Sequence, residues 1–186
     1  APKITAPKLT DISYAFANLG TVNTLDLDDF DTSNVENMEG LFAGNSSRFN
    51  TAYRAKISLN TSNVKNMSKL FHYTYVSYLD LSDLDVRKVT NFSKAFDYTW
   101  LYELDLTNWN TISATDMSNM FGGSTWLTKI YASDSFTTAN VTSYNGIFRS
   151  LSSYRGQAGS AIPNDNSIEY AHIDGGTANP GAFWRK

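Results

Sequence analysis

LDLTNWNTISATDMSNMF, residues 104–121, reads as a short strand, a turn and a short helix. Leu104-Asp105-Leu106 alternates apolar, polar and apolar, the period-2 pattern of a strand with one buried face. Behind it, Ala114, Met117, Met120 and Phe121 are spaced i, i+3, i+6 and i+7. That spacing predicts one apolar face of a short helix.

The chain repeats this unit. Phe16, Phe42, Phe71, Phe96, Phe121 and Phe148 end six copies, and successive differences give periods of 26, 29, 25, 25 and 27 residues. Leu25-Asp26-Leu27 and Leu79-Asp80-Leu81 repeat the strand. A period in the twenties marks a leucine-rich-repeat-like solenoid. The expected fold is therefore an α/β repeat solenoid, with a short parallel β-sheet on one face and short helices on the other. Residues 1–151 hold about six repeats of 25–29 residues, and residues 152–186 form a C-terminal cap of the same domain. A solenoid leaves its last core face and strand edge open, so a terminal segment must cover them. Within that segment, residues 167–174 alternate like a strand, and Asp174-Gly175-Gly176 and Asn179-Pro180-Gly181 are turn signals.

A polar column runs through the apolar ones: Asp11, Asn37, Asn66, Asn91, Asp116 and Ser143. Short polar side chains at tight corners satisfy backbone groups, and that is the role expected here. Asp26, Asp80 and Asp105 are expected on the outward side of the sheet as a solvated acidic face, with a basic partner or calcium as alternatives.

Composition narrows the function. A net charge of −3 without a basic run argues against nucleic acid. No apolar run reaches the roughly 18 residues of a membrane span, so no membrane insertion is expected. The absence of cysteine excludes a disulfide scaffold and zinc-thiolate sites. His72 and His172 stand apart from any serine, cysteine or paired carboxylate at motif spacing, which points away from an enzyme and from any cofactor. The opening Ala1-Pro2-Lys3 reads as a segment cut from a longer protein, and the isolated domain is expected to be a monomer.

LDLDDFDTSNVENMEGLF (residues 25–42) and YAHIDGGTANPGAF (residues 170–183) resemble the BspA-like leucine-rich repeat family of bacterial surface proteins. The resemblance covers residues 9–183. It implies a secreted or wall-anchored protein, mostly of Gram-positive or related bacteria. It also implies adhesion to a host extracellular-matrix protein, mucin or cell-surface glycan. The alternative is a spacer or stalk module with no ligand of its own.

The informative residues for a binding site are those the repeat does not require. The second rung carries an insertion with Arg48, Phe49, Tyr53, Arg54 and Lys56 where other rungs carry LDL. Tyr75, Trp100 and Trp126 align in one column, Tyr73 and Tyr98 in another, with Tyr78 and Tyr102 nearby. Tyrosine and tryptophan combine large apolar area with a polar handle. The candidate ligand-binding set is therefore Arg48, Phe49, Tyr53, Arg54, Lys56, Tyr75, Tyr78, Trp100, Tyr102 and Trp126. The bland alternative is that the rings merely cover the rung corners.

Overall fold

A computed structural model describes residues 9–19, 27, 30–45, 55–151, 154–162 and 167–186, with Ala55 and Lys56 described by their backbone only. Four short strands form one parallel sheet in sequential order: β1 (Ala55–Lys56), β2 (Tyr78–Asp80), β3 (Glu103–Asp105) and β4 (Lys129–Tyr131). Leu79, Leu104 and Ile130 stand in register and are buried. Ala55 pairs with Leu79 and Lys56 with Asp80, so the irregular second rung still joins the ladder.

The expected α/β solenoid is not what forms. Among the described residues there is no α-helix, and the only helical elements are two 3-10 turns, Ile168–Tyr170 and Gly176–Ala178. Each segment expected as a helix is instead an arc of hydrogen-bonded turns. In the arc that ends at Tyr98, the N–H groups of Phe92, Lys94, Phe96 and Tyr98 donate to Asp116, Ser118, Met120 and Gly122 of the next rung. The alternate N–H groups of Ala95 and Asp97 close turns within the arc, onto Phe92 and Lys94. Two residues per arc have positive φ, in the columns Tyr14, Gly40, Lys69, Lys94, Asn119, Gly146 and Asn18, Gly44, Tyr73, Tyr98, Gly123, Ser150, at values between 54° and 75°. An α-helix needs φ near −63° throughout, so this backbone cannot be one. Every other N–H that a helix would direct four residues back is spent on the neighbouring rung.

The side-chain columns nevertheless fall inward as their spacing predicts. Phe16, Phe42, Phe71, Phe96, Phe121 and Phe148 form one continuous stack, with ring centroids 5.0–6.0 Å apart and planes within 17° of parallel. Rung corners are set by carboxylates and amides that accept the N–H two residues on. Asn66, Asn91 and Asp116 accept from Ser68, Ser93 and Ser118 at 2.8–3.0 Å, which is the corner-satisfying role expected of that column. Asp80 and Asp105 serve a second corner, accepting both N–H and hydroxyl of Ser82 and Thr107. A solvated acidic face is therefore incorrect for this pair. Asp105 is fully buried, and Lys186 reaches its second oxygen.

Residues 154–162 and 167–186 lie across the last rung. Trp184 extends the ladder on β4, donating to Ile130 and accepting from Ala132. Phe183 meets Phe121, Phe136 and Phe148 edge-on and closes the phenylalanine stack. Instead of the strand expected over residues 167–174, a 3-10 turn leads to a single bridge between Ile173 and Phe183. The carboxylate of Asp174 holds this segment together by accepting from Ala158, Ser160, Gly176 and Gly181.

Candidate functional site

Where each turn arc runs into the approach to the next strand, residues alternate out and in. Tyr73 is exposed, Thr74 buried, Tyr75 half-buried and Val76 buried; Tyr98, Thr99, Trp100, Leu101 and Tyr102 repeat the pattern one rung on. The buried hydroxyls anchor this corner: Thr74 donates to Phe42, and Thr99 and Ser124 both bond to the Phe96 carbonyl. Two columns of rings are thereby thrown outward side by side.

The first column is Tyr75, Trp100 and Trp126. Tyr75 stacks on Trp100 at 4.4 Å and Trp100 on Trp126 at 5.9 Å, with planes 24° and 27° apart. Tyr102 packs its edge against Trp126 at 6.0 Å. Trp100, Tyr102 and Trp126 remain 46–50% exposed. That is a large apolar area left in water, and exposed aromatic patches of this kind mark interaction surfaces. The second column is Tyr73 on Tyr98, 4.9 Å apart and 4° from parallel. Tyr98 can lie over the next rung because Gly123 stands beneath it, where a Cβ would come within 2.7 Å of the ring.

Beside Tyr98 sits the only strongly perturbed carboxylate of the corner. Asp97 has a side chain 3% exposed and lies 3.2 Å from Arg149 and 3.5 Å from His72. Burial pushes its carboxyl up to about 6, against the lowering pull of Arg149 and Lys94. Burial likewise lowers His72, assisted by the charges of Lys94 and Lys69, although the Asp97 carbonyl opposes the shift. Arg149 belongs to the sixth rung and crosses the fifth to reach Asp97, while its guanidinium also donates to the Tyr98 hydroxyl and lies 5.2 Å from that ring. The cluster fastens the second column. Among the described residues, no group of three or more His, Asp or Glu could hold a metal ion.

The structure thus brings Tyr75, Trp100, Tyr102 and Trp126 of the expected set together. It does not bring Tyr78, which is buried on β2. Arg48, Phe49, Tyr53 and Arg54 lie outside the described residues, and of Lys56 only the backbone is described, opposite Asp80. Tyr73 and Tyr98 belong to the same corner but were not in the expected set, although their column was visible in the sequence. Arg149 gave no sequence signal, because its partner is 52 residues away across an intervening rung.

The fold and corner define a repeat protein of stacked turn-and-strand rungs that carries a ladder of exposed rings. The chain matches the family described as "Mycoplasma protein of unknown function, DUF285" over residues 10–129 and 46–164. Those matches together span residues 10–164, well over half of the chain, and the chain belongs to that family. No curated protein and no solved structure matches it.

Proposed function

We propose that this chain is a ligand-binding repeat domain of a bacterial cell-surface adhesin, part of a larger protein that acts outside the cell. The observation that carries the reading is the ladder of Tyr75, Trp100 and Trp126 with Tyr102, half exposed on one corner of three successive rungs. The core does not require these rings: the buried Phe96 and Phe121 already stack beneath the same rungs. The BspA-like resemblance of residues 25–42 and 170–183 supports the same reading, with a host matrix protein, mucin or epithelial glycoconjugate as the ligand.

The test is an array of matrix proteins, mucins and epithelial glycans probed with the isolated domain. The parent should bind at least one class, and Trp100→Ala combined with Trp126→Ala should abolish that binding while the fold persists. A double variant that stays folded and binds as well as the parent would place the contact elsewhere. A parent that binds nothing would make the domain a spacer.

A further inference from the structure

Resting on the binding reading above, we infer that the ring ladder takes an uncharged peptide segment in the polyproline II conformation, such as a proline-rich stretch of a partner protein. Three features of the corner point to this chemistry.

The first is which part of each ring remains accessible. Tyr75 and Trp100 turn their faces toward each other at 4.4 Å, and Trp100 faces Trp126 at 5.9 Å. A pyranose stacking between these rings would have to separate them. With Trp100 stacked between Tyr75 and Trp126, a ligand meets its edge and the gaps beside it, which suit narrow apolar groups such as pyrrolidine rings.

The second is hydrogen bonding. The indole N–H groups of Trp100 and Trp126 and the hydroxyls of Tyr75 and Tyr102 have no hydrogen-bond partner among the described residues, whereas buried Trp109 donates its indole N–H to Leu81. These handles are donors, and the indole N–H can only donate. A polyproline II segment has no internal hydrogen bonds, and its prolines offer carbonyls without N–H groups. Donors aligned along a ring row are therefore matched by acceptors aligned along the peptide, which is how aromatic-lined grooves read such segments.

The third is register. Parallel rungs repeat at about 4.8 Å, so Tyr75 and Trp126, two rungs apart, are offset by roughly 9.6 Å along the stack. A polyproline II helix advances about 9.3 Å in one turn of three residues. Every third residue of the segment would therefore meet an equivalent place on the ladder. Two cations on these rungs are already paired, Arg149 with Asp97 and Lys129 with Glu103, which leaves them less available to an acidic ligand.

The experiment follows tryptophan fluorescence of the full domain during titration with a short oligoproline peptide and, separately, with a chitin-type oligosaccharide. Oligoproline should give a saturable change. Trp100→Ala and Trp126→Ala should each weaken it by about tenfold or more, as expected for a central aromatic anchor. Trp126→Phe keeps most of the ring area and removes the N–H, so it should weaken binding by a few-fold, roughly what one hydrogen bond is worth. Circular dichroism and a thermal melt on each variant separate lost binding from lost fold. Oligosaccharide binding without oligoproline binding would overturn this inference and leave the binding reading standing. Oligoproline binding undiminished in the folded Trp100→Ala and Trp126→Ala variants would overturn it as well. Failure of both probes, together with an array on which the parent binds nothing, would remove the binding reading itself.

Discussion

Two aromatic ladders, one dry and one wet, run side by side at the same rung spacing. The phenylalanine ladder from Phe16 to Phe148 runs through the core, and its central members are almost wholly inaccessible. The Tyr75–Trp100–Trp126 ladder uses similar stacking distances at a corner where half of each indole stays in water. Stacking geometry therefore does not separate structure from function in a repeat protein. Any residue type repeated once per rung will stack. Burial, and whether the polar handles find partners within the fold, tell the two ladders apart.

Phe96→Ala should be the costliest test of the contrast, destabilising by about 3–5 kcal/mol because it empties the middle of the inner ladder. Denaturant unfolding would measure it. Trp100→Ala on the outer ladder should cost about 1–3 kcal/mol in the same experiment, since it loses two half-exposed ring contacts, with Tyr75 and with Trp126. Equal costs would mean that the outer ladder is as structural as the inner one.

Asn91→Ala should cost about 1–3 kcal/mol, because the Ser93 N–H at the corner loses its acceptor. A thermal melt that leaves the variant level with the parent would reject the corner role.

Acid should act on the corner and the cap in opposite directions. Burial alone would raise the Asp174 carboxyl, but hydrogen bonds from Ser160, Gly176 and Gly181 overcome it and hold the group at about 2, below its usual 3.8. Its stabilising contribution is complete above pH 4 and is lost as pH falls from 4 toward 2. Asp97 is raised to about 6, so its ionised form is disfavoured by folding. Its contribution to stability rises as pH falls from 6 to 4 and is lost again as pH climbs through 6. His72, held below its usual 6.5, opposes that gain as it takes up a proton. The Asp97 limb is therefore read as the difference between the parent and Asp97→Asn between pH 6 and 4, and melting temperature should drop below pH 4. Asp97→Asn should flatten the first limb and Asp174→Asn the second. If neither variant alters its limb, other groups govern the profile.

The smallest effect tests the backbone itself. Lys94 has φ of 57° and an exposed side chain. In a helix, Lys94→Gly would cost about 1 kcal/mol. In the left-handed conformation it should instead be neutral or stabilise by up to about 1 kcal/mol, which is about 2–4 °C in melting temperature for a domain of this size. A clear loss of stability would favour a helical arc.

Much of the molecule was legible in the residues. The six-fold repeat, the inward phenylalanine column, the parallel register of Leu79 with Leu104 and Asp80 with Asp105 and the ring columns all follow from period and side-chain type, although the strands begin and end one residue earlier than LDL suggests. The arcs were misread because apolar residues at i, i+3, i+6 and i+7 point the same way on a short helix and on a chain of turns. The discriminating signal lay in other columns. Gly40, Gly44, Gly123 and Gly146, with Asn18 and Asn119, recur at the two positions that adopt positive φ, where glycine and asparagine are the least strained residues.

Side-chain chemistry repeated at a fixed period determined, without coordinates, that rungs must stack and which residues enter the core, because hydrophobic burial depends on residue type and spacing. Tertiary structure alone decided where the backbone hydrogen bonds go. A short segment can close its N–H groups on itself or on a neighbour, and only a stacked neighbour presents a row of carbonyls to receive them. The same holds for the sites. Asp105 became a buried corner, Tyr78 an interior ring, and Arg149 the clasp on Asp97 and Tyr98, because each depends on what the adjoining rungs bring within reach.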